Sequence, residues 1–207
     1  DIDVVTITVH YTPPAGFSAL PSFSSPLSMT AGGFTVNMYA WYKFASSESG
    51  NYTVTHSSAS SQGYIVALSG ADPTTPFSPN PTTNTGTGST TTATGLTTPR
   101  DNSLIMFVSS DWGDTANNLT GPTGSTPTFT KRMGSTSQSG ILYVADGVLG
   151  TAGATGDKTI TNNSNGSGAW GGVLISVEPS STPGSPTISD TSWHHVVVTT
   201  NTGINAS

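Results

Sequence analysis

The chain has 207 residues, with 5 Lys or Arg, 11 Asp or Glu and no Cys, and its formal net charge is −6. A nucleic-acid-binding protein is excluded because neutralising phosphates needs a surface rich in Lys and Arg. A polybasic membrane-surface protein is excluded for the same reason. The lack of Cys excludes disulfides, thiolate zinc sites and Cys nucleophiles. No run of about 18 apolar residues occurs, so we expect no membrane-spanning segment.

Charged residues make up only 8% of the chain, against about 25% in an average soluble domain. Ser and Thr take their place at about a third of all residues, far above ordinary usage. The apolar residues are nevertheless grouped in short alternating runs, which indicates a folded β protein rather than a disordered one. Because the sequence starts at Asp1 without a Met or a leader, we expect a processed product or a segment of a longer protein.

Apolar and polar residues alternate in the first predicted strands, which is the pattern of a strand with one buried face. One face of the first strand, over residues 5–11, consists of Val, Ile and Tyr. In the second strand, over 34–44, every even position is apolar, so we expect this face in the core. A turn at 49–51 is followed by alternation at 52–55, which predicts a hairpin-like pair with the second strand.

No stretch of about 11 residues keeps a helical period. Further strands are predicted at 64–69, 103–109, 127–133, 141–145, 157–162 and 169–178. The predicted fold class is therefore all-β, an antiparallel β-sandwich of jelly-roll type. The segment 72–99, rich in Thr, Pro and Gly, is expected to be exposed, with at most a weak edge strand near 90–94.

A Pro-rich sequence divides the chain after Glu178. We expect a β-sandwich domain over 1–178, a Pro/Ser-rich linker over 179–191 and a C-terminal strand segment over 192–207. The residues after Glu178, about 29 in number, are too few to bury a core of their own. This orphan strand is therefore predicted either to begin a further β domain or to act as an inter-subunit strand.

Four sequence blocks stand out, namely AWYKFA at 40–45, SGNYTVT at 49–55, YIVALSGADPTTPF at 64–77 and AWGGVLISVEP at 169–179. Together, over about residues 34–178, they resemble a Thr/Ser/Gly-rich β-sandwich domain of secreted bacterial proteins and of structural proteins of tailed phages. The most specific part is Leu68–Asp72 followed by Pro76 and Phe77. The resemblance implies a fold and transfers no catalytic residue. In addition, residues 192–199 resemble one strand of laminin-G-like and concanavalin-like jelly rolls.

Histidine is the side chain suited to acid–base work at neutral pH, and the four His are predicted to form no site. His194 and His195 are adjacent on a predicted strand, so their side chains leave opposite faces and cannot chelate one metal ion. His10 and His56 lie among Thr and Ser, with nothing in the sequence to gather them. No G-x-S-x-G nucleophile elbow is present. We therefore expect no catalytic residues, no enzyme activity and no cofactor.

The most polar stretch after a predicted core strand runs from Asp111 to Asn118. Its candidate ligand or glycan contacts are Asp111, Trp112, Asp114 and Asn117. Carboxylate and amide oxygens suit Ca²⁺, and an indole beside them suits stacking on a sugar ring. An ordinary turn-rich loop uses the same residue types, and the spacing differs from that of an EF-hand loop.

Two aromatic residues, Tyr39 and Trp41, lie on the face of the strand 34–44 opposite its predicted core face. They are expected either to pack against the chain's own segment 11–33 or to form a subunit interface. The other candidate interface residues, in the C-terminal strand, are Trp193, Val196 and Val198.

These features favour a non-enzymatic structural and adhesive surface protein, namely a bacteriophage virion component such as a tail fibre, a head decoration or a similar fibre segment. Such a protein would be a homo-oligomer on the virion surface or outside the cell, in contact with other virion proteins and with cell-surface glycans. The alternative is a carbohydrate-binding module of a secreted bacterial protein, which predicts an independently folded monomer. A β-sandwich hydrolase has the least support, because the densest carboxylates are only Asp111 and Asp114.

Overall fold

The computed structural model describes residues 11–31, 33–47, 49–56, 60–111, 121–122, 126–134, 141–161, 168–180 and 194–203. These residues form strands and turns, and none of them belongs to a helix long and apolar enough to cross a membrane. The strands are β1 (Tyr11–Thr12), β2 (Ser18–Ala19), β3 (Leu27–Ala31), β4 (Phe34–Phe44), β5 (Thr55–His56), β6 (Ser60–Leu68), β7 (Thr82–Thr87), β8 (Thr90–Ala93), β9 (Thr97–Thr98), β10 (Ser103–Asp111), β11 (Thr130–Gly134), β12 (Ile141–Leu149), β13 (Gly153–Ala154), β14 (Lys158–Thr161), β15 (Ala169–Val177) and β16 (His194–Gly203).

Two antiparallel sheets form the body of the fold. In the first, which we call the central sheet, the strands follow the order β11-β12-β10-β15-β7. In the second, the outer sheet, the order is β2-β4-β16-β6, and β3 also pairs with β4. Short pairs join β1 to β5, β8 to β14 and β9 to β13. The predicted all-β class with antiparallel sheets is therefore confirmed.

The central sheet is buried on both of its faces. Met106 of β10 packs in a core with Met38 of the outer sheet, whereas Phe107 packs in a second core with Ala93 of β8 and Ile160 of β14. The β8–β14 pair is thus a third layer, on the side of the central sheet away from the outer sheet. Consecutive apolar residues in β10, β12 and β15 fit this arrangement, because strands covered on both faces lose the polar half of their alternation.

Most of the predicted strands are present with shifted ends, and they correspond to β4, β6, β8, β10, β11, β12, β14 and β15. Of the predicted first strand, the structure describes Tyr11. The hairpin expected between 52–55 and the strand 34–44 is wrong, because Thr55 and His56 pair with β1 instead. The reason is aromatic packing: Tyr52 joins the cluster around Trp41, which draws this segment across the outer face of the outer sheet.

The expectation that the segment 72–99 is exposed is also wrong. Thr91 and Ala93 of β8 have no exposed surface, and Leu96 and Thr98 are buried as well. The physical reason is the second apolar face of the central sheet, which would contact water if this segment did not cover it. The weak strand expected near 90–94 exists as β8, and it lies in the third layer with β14 as its partner.

The C-terminal strand is not an orphan. β16 lies between β4 and β6 of the same chain, so that Val197 is in register with both Trp41 and Ile65. The prediction of an orphan strand is therefore corrected. The physical reason is that β16 satisfies backbone N–H and C=O groups of β4 and β6 that would otherwise lack ladder partners.

The chain enters β16 close to the place where it leaves the central sheet. The backbone N–H of Ser180 donates to the carbonyl of Gly70 at 2.8 Å, and His194 is in register with Leu68, two residues before Gly70. The residues between them, which include most of the predicted linker, lie outside the described part of the chain. The two ends of this connection meet at one end of β6.

The Leu68–Asp72 motif, on which the resemblance rests, forms a junction between the outer and central sheets. Ala71 forms a β-bridge with Pro179, and the Asp72 N–H donates to the Glu178 carbonyl at 2.8 Å. Gly70 has a φ of 77°, in the left-handed region that favours glycine. The motif therefore joins the end of β6 to the end of β15.

The Asp72 carboxylate is the centre of this junction, and the residue is only 3% exposed. Its Oδ1 accepts hydrogen bonds from the N–H of Thr75 at 2.9 Å and from the N–H and hydroxyl of Thr74 at 2.8 and 2.7 Å. Its Oδ2 accepts from the Arg100 guanidinium at 2.5 Å, and the same nitrogen donates to the Pro179 carbonyl at 2.8 Å. These hydrogen bonds hold the pKa of Asp72 well below its usual range, and the bond from the Thr75 N–H has the largest effect.

Glu178 is the second buried carboxylate of the junction and has no exposed surface. Its Oε1 accepts a hydrogen bond from the Ser176 hydroxyl at 2.5 Å, and its Oε2 accepts one from the Ser103 hydroxyl at 3.0 Å. The two serines belong to β15 and β10, so Glu178 also ties neighbouring strands of the central sheet together. A buried carboxylate that is hydrogen-bonded in this way avoids most of the penalty of lost hydration.

We expect Asp72→Asn to destabilise the protein at neutral pH and to flatten its pH dependence. A carboxylate with a depressed folded-state pKa stabilises the fold above the unfolded-state pKa of about 3.9 and loses this contribution as the pH falls through the folded-state pKa. Urea unfolding between about pH 6 and pH 2 should show a steeper loss of stability for the wild type than for the variant. Ser69→Ala, at an exposed neighbouring position, is the control. If the free energy of unfolding fell equally with pH in the wild type and in Asp72→Asn, this stabilising role of the Asp72 carboxylate would be contradicted.

We expect Gly172 of β15 to tolerate no side chain. A Cβ at this position would lie 2.8 Å from the Thr92 carbonyl oxygen and 2.9 Å from the Ala93 nitrogen, both in the backbone of β8. Gly172→Ala should therefore lower the free energy of unfolding by about 1–3 kcal/mol, as measured by urea unfolding. Gly150→Ala is the matched control, because nothing lies within 4 Å of a Cβ there. Equal stability of the two variants would rule out this packing of the third layer.

Candidate functional site

Asp111, the first of the predicted ligand contacts, ends β10 and is only 2% exposed. It is in register with Ile141 on one side and Trp170 on the other. Asp111 is therefore held inside the central sheet by both neighbouring strands, and its role as a ligand contact stays a prediction. The other predicted contacts, which lie outside the described residues, are Trp112, Asp114 and Asn117.

The Ca²⁺ contact predicted for this stretch stays a prediction. Among the residues that the structure describes, no three His, Asp or Glu side chains come together in a way that could hold a metal ion.

Tyr39 and Trp41 of β4 are covered by the chain itself. Trp41 is 5% exposed and packs with Tyr11 and Phe17, and Tyr39 is half-buried beside them. Packing against the chain's own segment was one of the two arrangements expected for these aromatic residues. A subunit contact at this place would have to form around Trp41 rather than on it.

Two of the predicted interface residues of the C-terminal strand, Val196 and Val198, lie in β16. Their ladder partners are Tyr42 and Val66 for Val196, and Ala40 and Tyr64 for Val198. These partners belong to the core between the two sheets or pack against it. The two valines therefore occupy positions inside the outer-sheet ladder, and their part in a subunit interface stays a prediction. Trp193 lies outside the described residues.

An open cleft lies beside β6, which ends the described strand order of the outer sheet, and it has a volume of about 470 Å³. Three separate stretches of the chain line it, at 11–14, 50–56 and 61–65. The pairing of β1 with β5 brings the first two stretches together, and β6 supplies the third. The side chains on its wall include Tyr11, Asn51, Tyr52, His56, Ser61 and Gln62.

A row of aromatic rings supports one wall of the cleft. The Tyr11 ring stacks on the His56 ring with centroids 5.2 Å apart and an interplanar angle of 28°. The Tyr11 ring also contacts the Tyr39 ring, with centroids 4.9 Å apart. The Tyr39 ring in turn stacks on the Trp41 ring, with centroids 5.6 Å apart. Because Trp41 and Tyr39 are fixed on β4, this row holds Tyr11 and His56 in place against the outer sheet.

Tyr52 supplies a second aromatic surface to the cleft. It is half-buried and packs edge to face on Phe17, with ring centroids 5.2 Å apart and an interplanar angle of 81°. The Lys43 ammonium lies 5.9 Å from the centroid of the Tyr52 ring, within the range of a cation–π contact. The Tyr52 ring is therefore fixed both by Lys43 of β4 and by Phe17 of the N-terminal segment.

Hydroxyl and imidazole groups form a small polar network in the cleft. Ser61 Oγ lies 3.1 Å from His56 Nε2, and the Ser61 side chain is also hydrogen-bonded to that of Tyr11. Burial raises the pKa of Tyr11 to about 12, although the bond to Ser61 lowers it. The Tyr11 hydroxyl is thus protonated at neutral pH, and the network offers both donors and acceptors to a ligand.

A Ser hydroxyl within hydrogen-bonding distance of a His is also the beginning of a nucleophile–base pair. Such a pair needs a group that orients the His and donors that stabilise an oxyanion. The described residues that line this cleft include neither Asp nor Glu, and both His56 and Ser61 are exposed to solvent. What the described geometry shows is a hydroxyl and an imidazole placed for hydrogen bonding.

The sequence alone did not indicate this cleft, although it contains the residues. Sequence patterns predict no partner for His56 and place Tyr52 in a hairpin with the wrong partner strand. The one local signal was the density of Tyr, Asn, Ser and Gln between 50 and 65, which is ordinary in a chain so rich in polar residues. Only the long-range pairing of β1 with β5 makes these residues one surface.

Comparison with known proteins identified no relatives: no family model, no curated protein and no solved structure matches this chain.

We expect Phe17→Ala to loosen the aromatic support of the cleft. Phe17 is 9% exposed and contacts Tyr52 in the cluster that buries Trp41. Its removal should lower the free energy of unfolding by about 3 kcal/mol and shift the tryptophan fluorescence to longer wavelength as Trp41 gains contact with water. Phe44→Ala, at a side chain that is 41% exposed, is the control and should change stability by less than about 1 kcal/mol. Unchanged fluorescence in Phe17→Ala would contradict the packing.

Proposed function

We propose that this chain is a non-enzymatic structural and adhesive surface protein, a bacteriophage virion component such as a tail fibre, a head decoration or a similar fibre segment. The observation that carries the proposal is the cleft beside β6, whose described lining presents aromatic, hydroxyl and amide side chains on an all-β support. The protein acts by packing against copies of itself and by contact with a host surface. Its place is the virion surface or the outside of the cell.

The support for a rigid surface module comes from the layers of the fold. Both faces of the central sheet are covered, so the scaffold has two cores, and the buried Asp72 junction joins its sheets. With few charged residues, the surface is hydrated mainly by Ser and Thr hydroxyls. A jelly-roll connection of the strands belongs to the same proposal, and the pairing of distant strands such as β7 with β15 supports it.

Assembly into a homo-oligomer is supported by β6 and its surroundings. β6 ends the described order of the outer sheet and has neither charged residues nor Pro over its nine residues, which are the usual protection against edge-to-edge pairing. A second subunit that paired with this edge would extend the outer sheet and bury the strand edge.

A second candidate is a carbohydrate-binding module of a secreted bacterial protein, and the same cleft favours it. Aromatic rings with amide and hydroxyl groups around them suit sugars in either setting. The two functions differ in assembly, because the module acts as a monomer and the virion component acts as a multimer.

The proposed function is tested by two measurements on the intact protein: its mass in solution by light scattering, and its binding to a panel of bacterial strains that differ in surface polysaccharide. We expect a stable multiple of the chain mass together with binding to some strains. Ala67→Lys, at an exposed position of the β6 edge, should favour the monomer because Lys blocks edge pairing. Ser89→Lys, at an exposed turn, is the matched control and should leave the mass unchanged.

Each result separates the candidates. A monomer that still binds cells would replace the virion component with the carbohydrate-binding module. A multimer that binds no strain in the panel would limit the function to structural packing. A monomer without binding would overturn both candidates.

A further inference from the structure

We propose that the cleft beside β6 is a binding site for a neutral glycan, a short stretch of uncharged hexopyranose units. The inference rests on the proposed adhesive function and names its ligand class. It moves the glycan contact from the Asp111–Asn118 stretch, where the sequence pointed, to the wall formed by Tyr11, Tyr52, His56 and their polar neighbours.

The charge of the lining determines the class of sugar. Among the described residues that line the cleft, none is Asp, Glu, Lys or Arg. The Arg132 guanidinium makes a bidentate contact with the Asp146 carboxylate, at 2.8 and 2.9 Å. It lies close enough to Tyr64 to influence the pKa of that tyrosine. The Arg132 guanidinium already faces Asp146, and the Lys43 ammonium, which lies 5.9 Å from the centroid of the Tyr52 ring, is not among the described lining residues. An anionic sugar would therefore lose hydration at the cleft for little gain of opposite charge.

The rings of the cleft supply the apolar surface that a pyranose needs. The C–H face of a sugar ring packs on an aromatic face while its hydroxyls point to the sides. Tyr52 is half-buried and is fixed by Phe17, and the exposed His56 ring is fixed by its stack on Tyr11. Two prearranged ring surfaces on one cleft suit two neighbouring sugar units.

The polar groups around these rings suit sugar hydroxyls. Asn51 is exposed at the turn before Tyr52, and a carboxamide both donates and accepts hydrogen bonds. Ser61 and His56 add a hydroxyl and an imidazole 3.1 Å apart. The volume of about 470 Å³ lies within the roughly 300–1,000 Å³ of small-molecule sites, which is enough for a disaccharide or a trisaccharide.

Isothermal titration calorimetry of the intact protein with soluble polysaccharides tests this inference. The neutral probes are dextran, mannan and galactan, and the anionic probes are alginate and heparin. We expect at least one neutral probe to bind and both anionic probes to fail. Asn51→Ala and Tyr52→Ala should each weaken binding at least about tenfold, since a ring or amide contact of about 1.4 kcal/mol corresponds to that factor. Thr53→Ala is the matched control, because Thr53 is exposed between two lining residues and is not part of the lining.

Asn51→Ala keeps the test valid if Tyr52→Ala fails to fold, because Asn51 is exposed and its loss removes no core contact. Binding of the anionic probes alone would overturn the inference, and so would equal binding by wild type and Asn51→Ala. Cell binding without binding of any neutral probe would overturn the glycan class while leaving the adhesive function in place. If the wild type bound neither cells nor any glycan probe, both the glycan inference and the adhesive function would be overturned.

Discussion

Burial of the central sheet on both faces is the constraint from which the rest of the fold follows. In β10, Met106 packs toward the outer sheet and Phe107 toward the third layer, so one strand requires two covers. A sandwich of two sheets alone would leave the Phe107 face in contact with water, which costs a free energy of about 25 cal/mol for each Å² of exposed apolar surface. The Thr-rich segment therefore returns over this face as β8, and Gly172 lets its backbone come close.

Several of the few charged side chains are used within the molecule rather than displayed on it. Asp72 is paired with Arg100 at the junction of the sheets, and Arg132 binds Asp146 with two hydrogen bonds. Lys158 is 2% exposed, donates to a nearby backbone carbonyl and has its pKa lowered by burial. Under the proposed function, recognition of a partner would therefore depend on hydroxyls, amides and rings rather than on long-range electrostatic steering.

Sequence patterns predicted the strands because the side-chain period of a strand is a local property. The alternation over 34–44 and the apolar run over 103–109 both became strands. The third layer could not be predicted in this way, since Thr91 is buried only through the pairing of β8 with the distant β14. The cleft was missed for a related reason, because its walls come from segments that only the β1–β5 pair brings together.

The cleft and the proposed assembly support one another through multivalency. A neutral sugar gains little from charge, so a single open cleft binds weakly even though Tyr11 and Tyr52 are held in place before binding and lose little entropy. Several clefts on one particle change this, because each bound site raises the effective concentration of the next and avidity grows by about 10²–10⁴. The proposed multimer would therefore adhere to a polysaccharide surface more firmly than an isolated module with the same cleft.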